Sequence, residues 1–103
     1  MRLQPSWGYI LLCADGSYYA GCTTDLGQRL GQHYAGSVAG YTATRLPVEC
    51  VYSVEFQSLF DAIAWERRVK RWSRAKKEAL IARDYDRLPD LARSYQHHGR
   101  PKR

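Results

Sequence analysis

Asparagine is absent from this 103-residue chain, methionine occurs once, and Cys13, Cys22 and Cys50 are its only cysteines. Their odd number, with no CxxC spacing and no paired histidines nearby, supports neither a disulfide framework nor a zinc site. Reduced, mostly buried thiols are expected instead. Long apolar runs are missing too: Tyr9 to Ala14 is too short for a membrane span, and nothing near the N-terminus reads as a cleavable signal. These absences lead to the expectation of a cytoplasmic protein with no membrane partner. Acids are few, ten Asp and Glu against sixteen Lys and Arg, and the net charge of +6 favours polyanionic partners. No internal repeat divides the chain, and its length suits one domain that buries roughly two thirds of its unfolded surface.

What is present is patterned. Gly8 to Cys13 and Tyr18 to Cys22 are rich in aromatic and aliphatic residues and flank Ala14-Asp15-Gly16-Ser17, a turn sequence that predicts a hairpin. Thr24 is placed to cap a helix from Asp25, on which Leu26, Leu30 and His33 recur at helical spacing and Arg29 shares the face of His33. Gly27 and Gly31 weaken that helix by roughly 1 kcal/mol each relative to Ala, so close packing or a nearby ligand is expected to compensate. The segment 35–47, interrupted by Gly36, Gly40 and Pro47, reads as a loop. Glu49 to Glu55 alternates as a third strand, with Cys50, Tyr52 and Val54 opposed to Val51, Ser53 and Glu55. Ser58 caps a second helix whose apolar stripe is Ala62, Trp65, Val69 and Trp72, and Ser73 caps a last one to about Ala82. The order β-β-α-β-α-α describes an α+β domain over 1–84, a small three-stranded antiparallel or mixed sheet flanked by helices in two layers. The segment 85–103 reads as a basic, flexible tail.

Cleaving a phosphodiester needs a group that activates water, a cation that absorbs charge on the phosphorane, and a metal held by a carboxylate. One residue for each lies in an ordered set: Trp7-Gly8-Tyr9, Tyr19-Ala20-Gly21, Arg29, His33 and Glu66, followed by the stretch from Lys70 to Ile81. This set resembles the GIY-YIG nuclease superfamily, and in particular its small single-domain bacterial members. The resemblance implies that Tyr9 and Tyr19 are the paired motif tyrosines, Arg29 faces the scissile phosphate, His33 handles a proton, and Glu66 is the sole protein ligand of one Mg²⁺ or Mn²⁺. The middle positions of both tripeptides differ from the family name, Cys22 stands where some members have lysine, and the late asparagine of others has no counterpart. Which tyrosine is the base stays open. The residue types suit these roles: a phenol needs help to lose its proton at neutral pH, a guanidinium grips two oxygens, and magnesium accepts few protein ligands. Read singly, each residue has a plainer use, the tyrosines as half-buried strand aromatics and Glu66 as the partner of Lys70 one turn on.

Between Arg67 and Lys77 seven cations fall in eleven residues without an acid. Lys70, Arg74 and Lys77 recur at i, i+4 and i+7, a stripe able to hold a phosphate backbone. Tyr41 and Arg45, in the loop, are further candidates to touch nucleic acid. The expected function is a metal-dependent endonuclease acting on DNA rather than RNA, structured or damaged DNA included, with a protein partner for targeting. Its rival is a nucleic-acid-binding module of the same fold that has lost turnover. A protein-interaction domain, favoured only by the aromatic content, ranks last.

Overall fold

The computed structural model describes residues 4–88, so all of the proposed tail from 89 on lies outside the described residues. Two compact units divide the chain, 1–70 and 71–103. In the first, β1 (Ser6–Leu12) and β2 (Tyr18–Thr23) form the hairpin, and β3 (Glu49–Phe56) pairs with the other edge of β1. The sheet order is β2-β1-β3, antiparallel throughout. Asp15 shapes the hairpin turn by accepting from the Ser17 amide and hydroxyl.

Successive side chains of a strand point to opposite faces, and β1 uses both. Tyr9, Leu11 and Cys13 form a core with Val48, against which Leu26 and Leu30 of α1 (Leu26–Tyr34) pack. Gly8 faces the other way, toward Trp65 of α2 (Leu59–Val69), whose ring stacks on Tyr52 at 6.3 Å between centroids. The sheet therefore lies between two helices, where the sequence pattern had suggested only two layers. Tyr9, Ile10 and Leu11 are fully enclosed, and burial of each such side chain is worth about 1.5–3 kcal/mol.

Several local expectations are corrected. Asp25, not Thr24, caps α1, accepting from the Gln28 amide at 3.0 Å while Thr23 Oγ1 accepts from the Asp25 amide; Asp ranks above Thr at this position. Strict alternation fails in β3, because Ile10 pairs with Tyr52 but Leu11 with Cys50, leaving Val51 as an extra residue. That bulge sends Cys50 into the core under α1 and Tyr52 onto Trp65. The segment 35–47 contains a 3₁₀ turn at Thr42–Thr44. Gly27 and Gly31 face open space, so neither close packing nor a neighbouring group accounts for them.

In the second unit Ser73 caps α3 (Arg74–Ile81) by accepting from the Lys76 amide, as its sequence predicts. Because α2 ends at Val69, Trp72 does not extend its stripe. Instead the Lys76 ammonium sits 3.7 Å over the Trp72 ring.

Candidate active site

On the α1 side of the sheet, hydrogen bonds join a phenol, an imidazole and a hydroxyl into a row. Tyr9 Oη lies 2.9 Å from His33 Nε2, and His33 Nδ1 lies 2.9 Å from Thr42 Oγ1. All three side chains are buried. Tyr9 reaches the imidazole because its antiparallel partner on β2 is Gly21, where a Cβ would come within 2.5 Å of the phenol oxygen. Tyr19 packs beside the same imidazole, its ring centroid 5.5 Å away, and Tyr41 stacks on Tyr19 at 5.9 Å. Arg29, one turn before His33 on α1, adds a half-buried positive charge felt by both Tyr9 and His33.

On the α2 side, Glu66 presents its carboxylate toward β2. Oε1 accepts from the Cys22 thiol at 3.7 Å, and Oε2 pairs with Lys70 Nζ at 3.0 Å. These two groups lie across the sheet from the phenols, yet β2 is an edge strand, and charge on one face is felt on the other. The charge of Arg29 reaches Cys22 as well as Tyr9, and Lys70 reaches Tyr19 as well as Cys22. Tyr9, Tyr19, Arg29 and His33 are thus linked to Cys22 and Lys70, the two groups that engage Glu66.

Burial dominates the titration of the enclosed groups. It pushes the Tyr9 phenol up to about 12, with Tyr19 adding to the rise and Arg29 opposing it. It holds the His33 imidazole below its ordinary range, helped by the repulsion of Arg29. Both are therefore neutral at pH 7, a hydrogen-bonded pair rather than an ion pair. Burial and then the Glu66 carboxylate raise the Cys22 thiol, so Cys22 is a poor metal ligand. Lys70 is raised by its bond to Glu66 and that carboxylate's charge.

A metal fits this donor set only if it needs few protein ligands. Among the described residues no group of three or more His, Cys, Asp or Glu is placed to hold an ion. A single carboxylate with water around it suits magnesium or manganese and not a protein-caged zinc or calcium. Glu66 meets that requirement once Lys70 releases one oxygen.

The predicted binding residues fare differently. Tyr41 stands at the edge of the site on Tyr19, but Arg45 is committed: its guanidinium lies 3.7 Å over the Tyr41 ring, bonds the Tyr41 carbonyl and pairs with Asp15 at 3.0 Å. Lys70, Arg74 and Lys77 do not share a helical face, because Lys70 is the cap residue just past the end of α2 while the other two belong to α3 in the second unit. Arg74 pairs with Glu78 at 3.0 Å, and burial lowers the Lys77 ammonium. Thr42 is the residue that sequence reasoning passed over. Tyr41-Thr42-Ala43-Thr44 carries no periodicity to show which hydroxyl turns inward.

The GIY-YIG catalytic domain matches residues 5–79. A UPF0213 protein of Streptococcus pneumoniae is 44% identical over 79 residues, covering 77% of this chain and 80% of that protein. One from Halobacterium salinarum is 46% identical over 73 residues, covering 71% and 95%. Among solved structures, the UPF0213 protein BH0048 from Bacillus halodurans matches at 44% identity and a TM-score of 0.51, over 76% of this chain and 83% of that one. The protein EF2693 from E. faecalis matches at 30% identity and a TM-score of 0.54, over 98% of each chain.

Proposed function

This chain belongs to the GIY-YIG family, and from that premise we propose that it is an endonuclease that hydrolyses phosphodiester bonds in DNA using one Mg²⁺ or Mn²⁺. Nuclease-type activity and nucleic-acid binding come with the domain. The choice of DNA and the need for a metal are the proposal's own. The observation that carries it is the 2.9 Å contact between Tyr9 Oη and His33 Nε2 beside the Arg29 charge.

A phenol pushed up to about 12 does not ionise at neutral pH, so Tyr9 serves as a base only by passing its own proton on. In the proposed step it takes a proton from the attacking water while giving its own to Nε2 of His33. The oxygen of that water then bonds phosphorus as the P–O bond to the leaving strand breaks. The phenol is sealed in the free protein, and water reaches it in the substrate complex, where catalytic contacts commonly complete. Arg29 holds the non-bridging oxygens as charge builds on them. Tyr19, packed on His33 and under Tyr41, fixes the imidazole from the open side. Glu66 would hold the cation, which when bound offsets phosphate charge and makes its water more acidic. Lys70, displaced from Glu66, and the exposed Tyr41 ring are a positive and a stacking contact for the strand.

Nicked, branched, duplex and single-stranded DNA, with RNA alongside, are incubated with purified protein in Mg²⁺ or in chelator, next to Glu66→Ala and Arg29→Ala. Metal-dependent cutting of a DNA substrate, lost in both variants while salt-sensitive binding persists, is the expected result. Binding without cutting in every case supports a silent nucleic-acid-binding module, a reading favoured by the engagement of both Glu66 oxygens with Lys70 and Cys22.

A further inference from the structure

Thr42 is 2% exposed and lies in the 3₁₀ turn that leaves the α1 side of the sheet, outside every motif that marks the site. Its hydroxyl meets the one nitrogen of His33 that Tyr9 does not use, at 2.9 Å. A neutral imidazole carries one N–H and one bare nitrogen, and the partner of one determines the state of the other. Two arrangements satisfy these hydrogen bonds. In the first, Tyr9 donates to Nε2 and Nδ1–H donates to Thr42; in the second, Thr42 donates to Nδ1 and Nε2–H donates to Tyr9. Arg29 discriminates between them. Its positive charge lies close enough to act on the phenol and attracts the negative oxygen of Tyr9, which turns the O–H away from the guanidinium and toward Nε2 of His33.

We propose that Thr42 is a positioning residue: its buried hydroxyl accepts a hydrogen bond from the Nδ1–H of His33 and so presents a bare Nε2 to the Tyr9 phenol. The same turn stacks Tyr41 on Tyr19, and Arg45, held to Asp15 and the Tyr41 carbonyl, fixes it in place. The loop thereby sets the direction in which a proton moves, from Tyr9 toward His33. The role of that direction in cutting DNA rests on the endonuclease reading above; the tautomer itself does not.

Nitrogen-15 NMR of the imidazoles tests the proposal in the metal-free full chain, with His33→Gln to identify the His33 signals against His97 and His98. Expected is a protonated, pyrrole-type Nδ1 and a bare, pyridine-type Nε2. Thr42→Val keeps the shape of the side chain but removes its acceptor, and the two nitrogens should exchange character or average, while Thr42→Ser should restore the native pattern. An Nε2–H tautomer in the native protein, or an unchanged pattern in Thr42→Val, overturns the proposal. On cleavable DNA at saturating protein, Thr42→Val should cut about 10–100-fold more slowly, the loss typical when a group that orients a catalytic side chain is removed, and Thr42→Ser should recover most of the rate. A native protein with the expected tautomer that cuts nothing upholds the positioning role and sinks the nuclease reading alone.

Discussion

The two faces of the sheet treat their polar groups in opposite ways. Under α1 the phenol, imidazole and hydroxyl of Tyr9, His33 and Thr42 are sealed and bonded to one another. Under α2 the carboxylate of Glu66 is about one-fifth exposed and bonded to a lysine that is half exposed. A buried polar row holds its geometry because any unpaired member costs about 1–3 kcal/mol. An exposed pair at i, i+4 is worth only a few tenths of that and changes partners readily. One side is therefore fixed in its geometry, and the other can exchange Lys70 for a different partner.

Perturbing either face should produce effects of predictable rank. Glu66→Ala removes the carboxylate that would hold the metal and should slow cutting by about 10²–10³-fold in single-turnover assays, with DNA affinity retained. Gly21→Ala strikes the sealed side: its Cβ would overlap Tyr9, so urea melts should show a loss of about 1–3 kcal/mol together with lost cutting. The buried pair also has a pH signature. Because the folded pKa of His33 lies below its unfolded value, stability is full above the unfolded value near 6.5 and falls as the pH drops through the window below it; His33→Gln should flatten that slope. With Tyr9 raised from 10.0 to about 12, stability should fall again as the pH climbs through that interval, and Tyr9→Phe should abolish this effect. Gly31→Ala, in open space on α1, should raise stability by about 0.5–1 kcal/mol and leave cutting unchanged. Lys70→Ala should have the smallest effect, a few tenths of a kcal/mol on stability and a drop of about one in the salt slope of DNA binding.

Much of this difference was legible in the chain. The hairpin, the third strand and both Ser-capped helices follow from turn residues and periodicity, and the spacing of Arg29 and His33 placed them on one face of α1. The cap moved by one residue because Thr24 and Asp25 are both good cap formers in adjacent positions. The bulge at Val51 was hidden because an extra residue in one strand is defined only by its partner strand. A basic stripe from Lys70 to Lys77 assumed a continuous helix, whereas Ser73 starts a new one. Thr42 had no local signal at all, since the inward turn of its hydroxyl depends on His33 nine residues earlier. The two motif glycines carry reasons that the motif does not state: Gly8 gives room to Trp65 and Gly21 to Tyr9.

Whether the sealed and open faces act as one catalytic unit is decided by a mutant cycle at saturating protein, with the rate of DNA strand scission measured for Tyr9→Phe, Glu66→Gln and the double variant. Groups that serve one step are strongly non-additive. The double variant should cut about as slowly as the worse single variant. Losses that multiply independently, or scission that survives both changes, would contradict a shared centre around the β2 edge.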